Sequence, residues 1–371
     1  MPHDPYRALY VHIPFCKSRC AYCDFTTQAI ASDSPEIDAY IEDIILQIRR
    51  KSKAEELGQI ETIYIGGGTP SYIGLSRLSS LLYGISLSVI TTHDDMEWTM
   101  EANPESLSER MVKDIWAMGV NRLSIGVQSF DDEVLSTICR AHDAAAARKA
   151  IELAHARFEN VSVDLMCGIP GQSIESFRES VRTAIDLGVT HISVYPLTIE
   201  PHTLFHNQVV AGIIDEPDDD IEAMQMKLAS EELARAGFER YEVASYAKPG
   251  YECRHNIAYW TGVPYIGFGT SAATMTQNAT RRMRLKDGAV TDDLSRKEME
   301  AEDLMLGMRM TCGVTGERIA QARQYLTSVD EAFARLQEEG LVVPNIAGGF
   351  SPTERGWLCG NDLYGELFDL A

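Results

Sequence analysis

The chain has 371 residues, enough for two or three domains and a large apolar core without disulfides. Its 33 Lys and Arg against 55 Asp and Glu give a formal charge of −22, which excludes a general nucleic-acid binder or a polybasic membrane anchor. A hydrophobic fraction of 45% excludes gross disorder, and no apolar run is long enough for a transmembrane helix.

The segment Met1 to Tyr10 lacks a basic stretch followed by a long apolar one, so it does not read as a secretory signal. Eight Cys without an export signal predict a reducing, cytoplasmic setting, with the thiols as metal ligands or buried groups.

Short apolar, β-branched runs closed by Gly or Pro predict strands at 8–13, 62–66, 97–102, 122–128, 161–166 and 191–196. Amphipathic runs between them predict helices at 36–53, 75–87, 107–118, 131–139, 144–157 and 174–187. Ser34 before Pro35 and Ser106 before Leu107 read as helix starts. Such alternation implies parallel strands joined by right-handed crossovers, an α/β part-barrel of six strand–helix units. A closed eight-stranded barrel would need two more units than the pattern offers.

The rhythm changes after Thr198. An acidic loop at 216–220 precedes a helix at 221–236 and a strand at 239–243. An irregular aromatic segment, 246–265, leads into the Gly-rich run 267–272. Beyond Asp292 the pattern is mostly helical, at 296–310, 315–325 and 329–339. A hairpin through Gly348-Gly349 and a last helix from Thr353 complete a winged-helix-like arrangement, without the basic character of a DNA binder. The expected domains are 1–200, a part-barrel core; 201–291, an extension; and 292–371, a mostly helical C-terminal domain.

Cys16, Cys20 and Cys23 form a C-x3-C-x2-C cluster just after the first strand. Three thiolates so close can wrap one inorganic centre and leave one iron of a [4Fe–4S] cluster open. Zinc with His12 as fourth ligand and chance clustering are the alternatives; spacing, ligand softness and the neighbours Phe15, Tyr22 and Phe25 favour iron and sulfur.

In parallel α/β sheets, ligands sit at the carboxyl ends of strands. GGGTP (66–70), EANP (101–104), GVQSF (126–130), Asp164 with GIPGQ (168–172), and Tyr195-Pro196 all fall at such ends. The glycine triplet would let backbone approach a ligand and offer N–H groups to it, or it is a plain strand-ending turn. Glu101 and Asp164 lie on apolar strands, where an unpaired carboxylate is costly. Arg140 is a candidate partner for them or for a ligand carboxylate; a structural ion pair is the alternative.

Together with YVHIPFC (10–16), Cys20, Tyr22-Cys23 and the DLMCGIPGQ run (164–172), these motifs make the chain resemble the radical SAM superfamily. More narrowly it is similar to the anaerobic coproporphyrinogen III dehydrogenase (HemN-like) family and its haem chaperone branch, over nearly the whole chain. The resemblance implies a [4Fe–4S] cluster on Cys16, Cys20 and Cys23, with S-adenosylmethionine (SAM) chelating the fourth iron. It implies SAM contacts from Tyr10, Tyr22, Gly67, Gly68, Thr69, Glu101, Gln128, Arg140 and Asp164. Arg140 would pair the SAM carboxylate, and Gln128 and Asp164 would take ribose hydroxyls.

Two departures separate the chain from the dehydrogenase pattern: Phe25 stands where that pattern has a further Cys, and only fifteen residues precede Cys16. Residues 255–260 carry the HNxxYW pattern of the chaperone branch, which makes His255 a candidate haem ligand, with Cys253 the weaker alternative and Tyr259 and Trp260 to pack the porphyrin. A His in an aromatic loop is otherwise more often structural.

The function this implies is a haem chaperone that passes haem to acceptor apo-haemoproteins, with respiratory enzymes a candidate class, and with a second copy of the chain a candidate partner. The alternative is oxidative decarboxylation of coproporphyrinogen III by a 5′-deoxyadenosyl radical. Another radical reaction on an unrelated substrate is the third reading.

Overall fold

The computed structural model describes residues 3–89 and 95–371; Met1 and Pro2, at the head of the Met1–Tyr10 segment, lie outside the described residues. Each predicted strand of the core is present. β1 (Ala8–Ile13) is followed by two short strands, β2 (Phe15–Cys16) and β3 (Gln28–Ala29), which pair with each other around the cysteine loop. β4 (Thr62–Gly67), β5 (Glu97–Ala102), β6 (Arg122–Gln128), β7 (Asn160–Cys167) and β8 (His191–Pro196) continue the core. Leu9, Val11, Ile63, Ile65, Leu123, Ile125, Val161 and Val163 are fully buried. Near-continuous apolar strands of this kind are expected where both faces of a parallel sheet are covered.

The extension adds β9 (Glu239–Arg240), β10 (Ser245–Ala247), β11 (Tyr265–Phe268), β12 (Ala273–Gln277), β13 (Arg281–Lys286) and β14 (Ala289–Ser295). The sheet order is β14-β13-β12-β11-β1-β4-β5-β6-β7-β8-β10-β9. From β11 to β8 all neighbours are parallel, and both flanks are antiparallel. The sheet therefore curls without closing on itself, and β14 and β9 are its free edges. The first residues of the Gly-rich run, Gly267 and Phe268, lie in β11, which joins the parallel core beside β1 on one side and pairs antiparallel with β12 on the other.

Helices cover the outer face, several of them started by a side-chain cap. Ser34 accepts from Glu36 N with Pro35 in the first turn, and Ile37, Ile41, Ile44 and Ile48 form the buried stripe of Pro35–Lys53. Asp143 and Ser173 cap Ala144–His155 and Ile174–Asp186 in the same way. The third helix begins later than expected: Ser108, not Ser106, accepts from Met111 N, because Pro104–Ser106 forms a separate short 3-10 turn.

Other departures lie in the extension. The expected strand at 239–243 is only two residues long, and the aromatic segment contains a helix, Arg254–Trp260. The antiparallel strands β12 to β14 had no sequence signal. Their side chains are mostly polar and half-exposed, so they lack the apolar alternation that marks a strand.

The C-terminal helices Arg296–Gly307, Gly316–Ala322, Val329–Glu338 and Gly360–Phe368 surround a second core of Leu304, Phe333, Leu336, Leu363 and Leu367. The hairpin β15 (Val342–Pro344) and β16 (Phe350–Pro352) lies between them. A buried ion network ties this unit to β13: Arg282 Nη1 lies 2.5 Å and Arg284 Nη1 2.8 Å from the Glu302 carboxylate.

Candidate functional site

The carboxyl ends of the parallel strands open on one cavity of about 360 Å³. Cys16, Cys20, Tyr22, Cys23, Gly67, Gly68, Thr69, Glu101, Gln128, Arg140 and Asp164 all line it. Tyr10 and His255 do not. Tyr10 lies behind the wall, its hydroxyl 3.0 Å from His12 Nδ1, while His12 Nε2 donates to Thr26 O at 2.9 Å.

The glycine turn is stitched to the cysteine loop by backbone. Gly68 N donates to Ile13 O at 2.7 Å and Thr69 N to Phe15 O at 2.9 Å. A Cβ on Gly68 would lie 2.9 Å from both of those oxygens and 3.0 Å from Cys16 Sγ, which explains the residue. Gly67 has φ 113°, a left-handed conformation that a side chain disfavours. Thr69 Oγ1 donates to Cys16 Sγ at 3.5 Å.

Arg140 gathers three strand ends. Its Nη1 lies 3.5 Å from Cys20 Sγ, and its Nη2 donates to Asn103 Oδ1 at 2.9 Å and to Gly126 O. Asn103 Nδ2 donates onward to Thr69 Oγ1 at 3.0 Å. One guanidinium and one amide thus join the cysteine loop, the glycine turn and the ends of β5 and β6. Arg140 Nε is buried with no acceptor. Gln128, at a register shift against β7, has φ 68°; backbone strain of this sort concentrates at functional sites.

Burial dominates the electrostatics. It pushes the Cys16 thiol up to about 11 and raises Cys23, so both sulfurs are protonated thiols in the metal-free chain. Burial also lifts Glu101 to about 7, with Asp164 adding to the rise and the hydrogen bonds from Tyr64 Oη and Gly67 N opposing it. Asp164 is raised by burial too, against the pull of Arg122.

The partners of the two acids differ from expectation. Arg140 pairs with neither. Glu101 accepts from Tyr64 Oη at 2.7 Å and from Gly67 N at 3.0 Å, and Asp164 accepts from Ser124 Oγ at 3.4 Å. The cation beneath them is Arg122, which sequence reading passed over. It is 2% exposed, lines the cavity floor, and has no acceptor for Nε or Nη1. Its signal was a charged residue opening an apolar strand. Asn103 was quoted within a motif but given no role.

His255 lies away from the cavity. It sits on the helix Arg254–Trp260, which plugs the amino-terminal end of the barrel, and is 1% exposed. Its Nδ1 lies 2.9 Å from Thr62 Oγ1 and its Nε2 3.2 Å from Tyr259 Oη. Both ring nitrogens are engaged, and burial holds the ring neutral, its pKa lowered to about 3. Cys253 is also buried, its Sγ 3.6 Å from Glu97.

Against known proteins, residues 10–184 match the Radical SAM superfamily. The chain is 34% identical to "Heme chaperone HemW" of Bacillus subtilis, over 97% of this chain and 99% of that one. This chain belongs to the HemW family. The HemW protein of Escherichia coli is 39% identical over 72% of this chain and 70% of its own. In structure, coproporphyrinogen III oxidase (HemN) of Escherichia coli shares the fold, with a TM-score of 0.81 at 21% identity, over 98% of this chain and 90% of that chain.

The radical SAM fold of the HemW family implies a [4Fe–4S] cluster and SAM. The residues present fit both. The donor set is three thiols on one wall of the cavity, soft ligands suited to iron and sulfur. Among the described residues no three His, Cys, Asp or Glu side chains converge as a site for a single ion. Arg140, with its buried unpartnered Nε, supplies the cation beside Cys20. No helix among the described residues is long and apolar enough to cross a membrane.

Proposed function

We propose that the chain is a haem chaperone, binding haem and passing it to acceptor haemoproteins, and that it does so as a cytoplasmic protein carrying a [4Fe–4S] cluster and SAM. The observation that carries this reading is the match to proteins named heme chaperone HemW, which runs over 97% of the chain and so includes the extension and the C-terminal unit.

In this reading Cys16, Cys20 and Cys23 hold the cluster, which must displace the protons that burial keeps on the thiols. Arg140, already bonded to Asn103, holds the SAM carboxylate. Gln128 and Asp164 accept the ribose hydroxyls. Gly67, Gly68 and Thr69 form the backbone wall against the methionyl end, Tyr22 and Glu101 complete the shell, and Tyr10 stands behind it, bonded to His12. When bound, cluster and SAM supply a one-electron route to an adenosyl radical. The chain's part is to orient SAM and keep water from it. Nothing about carrying haem requires that step.

In this reading His255 is the candidate haem ligand, although both its ring nitrogens are engaged with Thr62 and Tyr259 in the haem-free chain. The test is anaerobic incubation of cluster-loaded protein with SAM, reductant and coproporphyrinogen III, beside a separate haem titration. Saturable haem binding with no protoporphyrinogen formed is expected. Protoporphyrinogen without stable haem binding rejects the chaperone reading for the dehydrogenase one. Light scattering with and without haem tests whether two copies of the chain associate.

A further inference from the structure

Thr62 and Tyr64 stand two positions apart on β4, so their side chains share one face of the strand. Both meet the plug helix at His255. Thr62 Oγ1 lies 2.9 Å from His255 Nδ1, and the Tyr64 ring lies against the imidazole at 5.1 Å between centroids and 31° between planes. Tyr64 also lines the cavity. There its hydroxyl donates to Glu101 Oε1 at 2.7 Å. One side chain thus runs from the barrel floor to the acid near the end of β5.

Glu101 is held from two sides. Its other oxygen, Oε2, accepts from Gly67 N at 3.0 Å and so ties the acid to the glycine turn. The carboxylate occupies the space beside Gly66: a Cβ there would lie 2.8 Å from both oxygens. A carboxylate offers about four acceptor positions, so the hydrogen bonds from Tyr64 and Gly67 leave others for a ligand in the cavity. Tyr10 is a ring neighbour of Tyr64 at 6.2 Å, but its hydroxyl is engaged with His12 Nδ1.

We propose that Tyr64 is a positioning residue of this site: its hydroxyl pins the Glu101 carboxylate beside the Gly67 N–H, and its ring is braced on the plug helix, so that the acid meets SAM already oriented. The inference rests on the reading of the cavity as the SAM site and deepens it with a residue that acts through the acid. A hydrogen bond donated to a carboxylate favours its ionised form. Besides Tyr64, Glu101 is faced by Tyr10 on β1, Arg122 on β6, Asp164 on β7 and Tyr195 on β8. Arg122 favours the ionised form and Asp164 opposes it, while burial keeps both tyrosines neutral. Burial already holds Glu101 at about 7, so loss of the Tyr64 bond leaves most of it protonated at neutral pH. A neutral carboxyl attracts the sulfonium cation far less than a carboxylate does.

The test is calorimetric titration of the cluster-loaded full chain with SAM between about pH 6 and pH 8.5. The proteins compared are wild type, Tyr64→Phe, Glu101→Gln, the double variant of these two, and Gly66→Ala. Iron content and the thermal midpoint check loading and folding. Tyr64→Phe keeps a ring against His255 and removes only the donor. Its acid limb should move up by about one pH unit, so that SAM affinity is about fivefold lower at pH 7 and within about twofold of wild type at pH 8.5. Glu101→Gln should lack that limb, and adding Tyr64→Phe to it should change affinity by less than about twofold. Gly66→Ala crowds the same carboxylate from its other side and should move the limb upward too. A Tyr64→Phe profile that overlays wild type overturns the role of Tyr64. So does an equal loss at every pH that persists beside Glu101→Gln, which is the mark of a tyrosine that only packs. Should Tyr64→Phe not fold, a wild-type profile from folded Gly66→Ala overturns the pinned carboxylate. Wild-type protein that carries its iron yet binds no SAM ends the cofactor reading of the cavity itself.

Discussion

His255 N donates to Glu97 Oε1 at 3.0 Å, across 158 positions of sequence. The other oxygen of the same carboxylate accepts from Arg254 N at 2.8 Å. Glu97, at the start of β5, is therefore the N-terminal acceptor of the helix that closes the barrel floor, where two otherwise unsatisfied helix N–H groups meet a negative charge.

Replacing that carboxylate should loosen the plug. Glu97→Ala leaves two N–H groups of the plug helix without their acceptor and removes one of the acidic groups near Arg122. Buried unsatisfied groups cost about 1–3 kcal/mol each, so the variant should unfold at clearly lower urea than wild type. An unchanged urea midpoint would show that the helix is held by its side chains alone.

The buried neutral ring of His255 makes stability depend on acid. Its pKa falls from 6.5 to about 3 on folding, because burial penalises the charged form. The unfolded chain thus takes up a proton below about pH 6.5 that the folded chain refuses until about pH 3. This contribution is complete above pH 6.5 and is lost as pH falls through that window. Thermal unfolding followed between pH 7 and pH 4 should show a steeper fall for wild type than for His255→Gln. Parallel curves would place the titrating groups elsewhere, His12 and His191 being the other buried histidines with a lowered pKa.

Cys20→Ser should abolish the broad visible absorbance of anaerobically reconstituted protein and its bound iron. Wild-type colour and iron content in the variant would refute the three-cysteine assignment. Loading should release protons, since burial keeps thiols such as Cys16, pushed up to about 11, protonated until the cluster binds. Proton release on reconstitution in weak buffer checks this directly.

Asn103 is the joint between Thr69 and Arg140, with bonds of 3.0 and 2.9 Å. Asn103→Ala frees the guanidinium from the glycine turn. A charge-assisted hydrogen bond of this kind is worth roughly 1.5–3 kcal/mol, so SAM affinity measured by calorimetry should fall by about tenfold or more. Iron content should stay near wild type, since the cysteines keep their places. Loss of iron with retained SAM affinity would reverse the roles.

Gly68→Ala tests the close approach of turn and cysteine loop. The new Cβ meets two backbone oxygens at 2.9 Å, which cannot move away cheaply. Stability should fall by about 1–3 kcal/mol, and cluster loading with it. Gly58→Ala, where nothing lies within 4 Å of the new Cβ, is the control and should load normally.

Local chemistry made much of this protein readable in one dimension. The apolar strands 8–13, 97–102, 122–128 and 191–196 were delimited by composition and Gly or Pro punctuation, because two-sided burial demands a continuous apolar run. The cysteine spacing and the placing of polar motifs at strand ends were legible for the same reason: strand direction decides which end carries the site. Tertiary contacts decided the rest. β11 joins β1 from 257 positions away, as Tyr265 against Ala8, β12 to β14 exist through their ladders and not through any apolar pattern, and Arg122 and Asn103 gain meaning only from the groups brought against them. His255 shows the difference most plainly. Its sequence neighbours gave no sign that the ring is buried against a Thr62 hydroxyl; the packing of its helix into the barrel floor decides that, because burial and hydrogen-bond saturation are properties of the folded surroundings and not of the local chain.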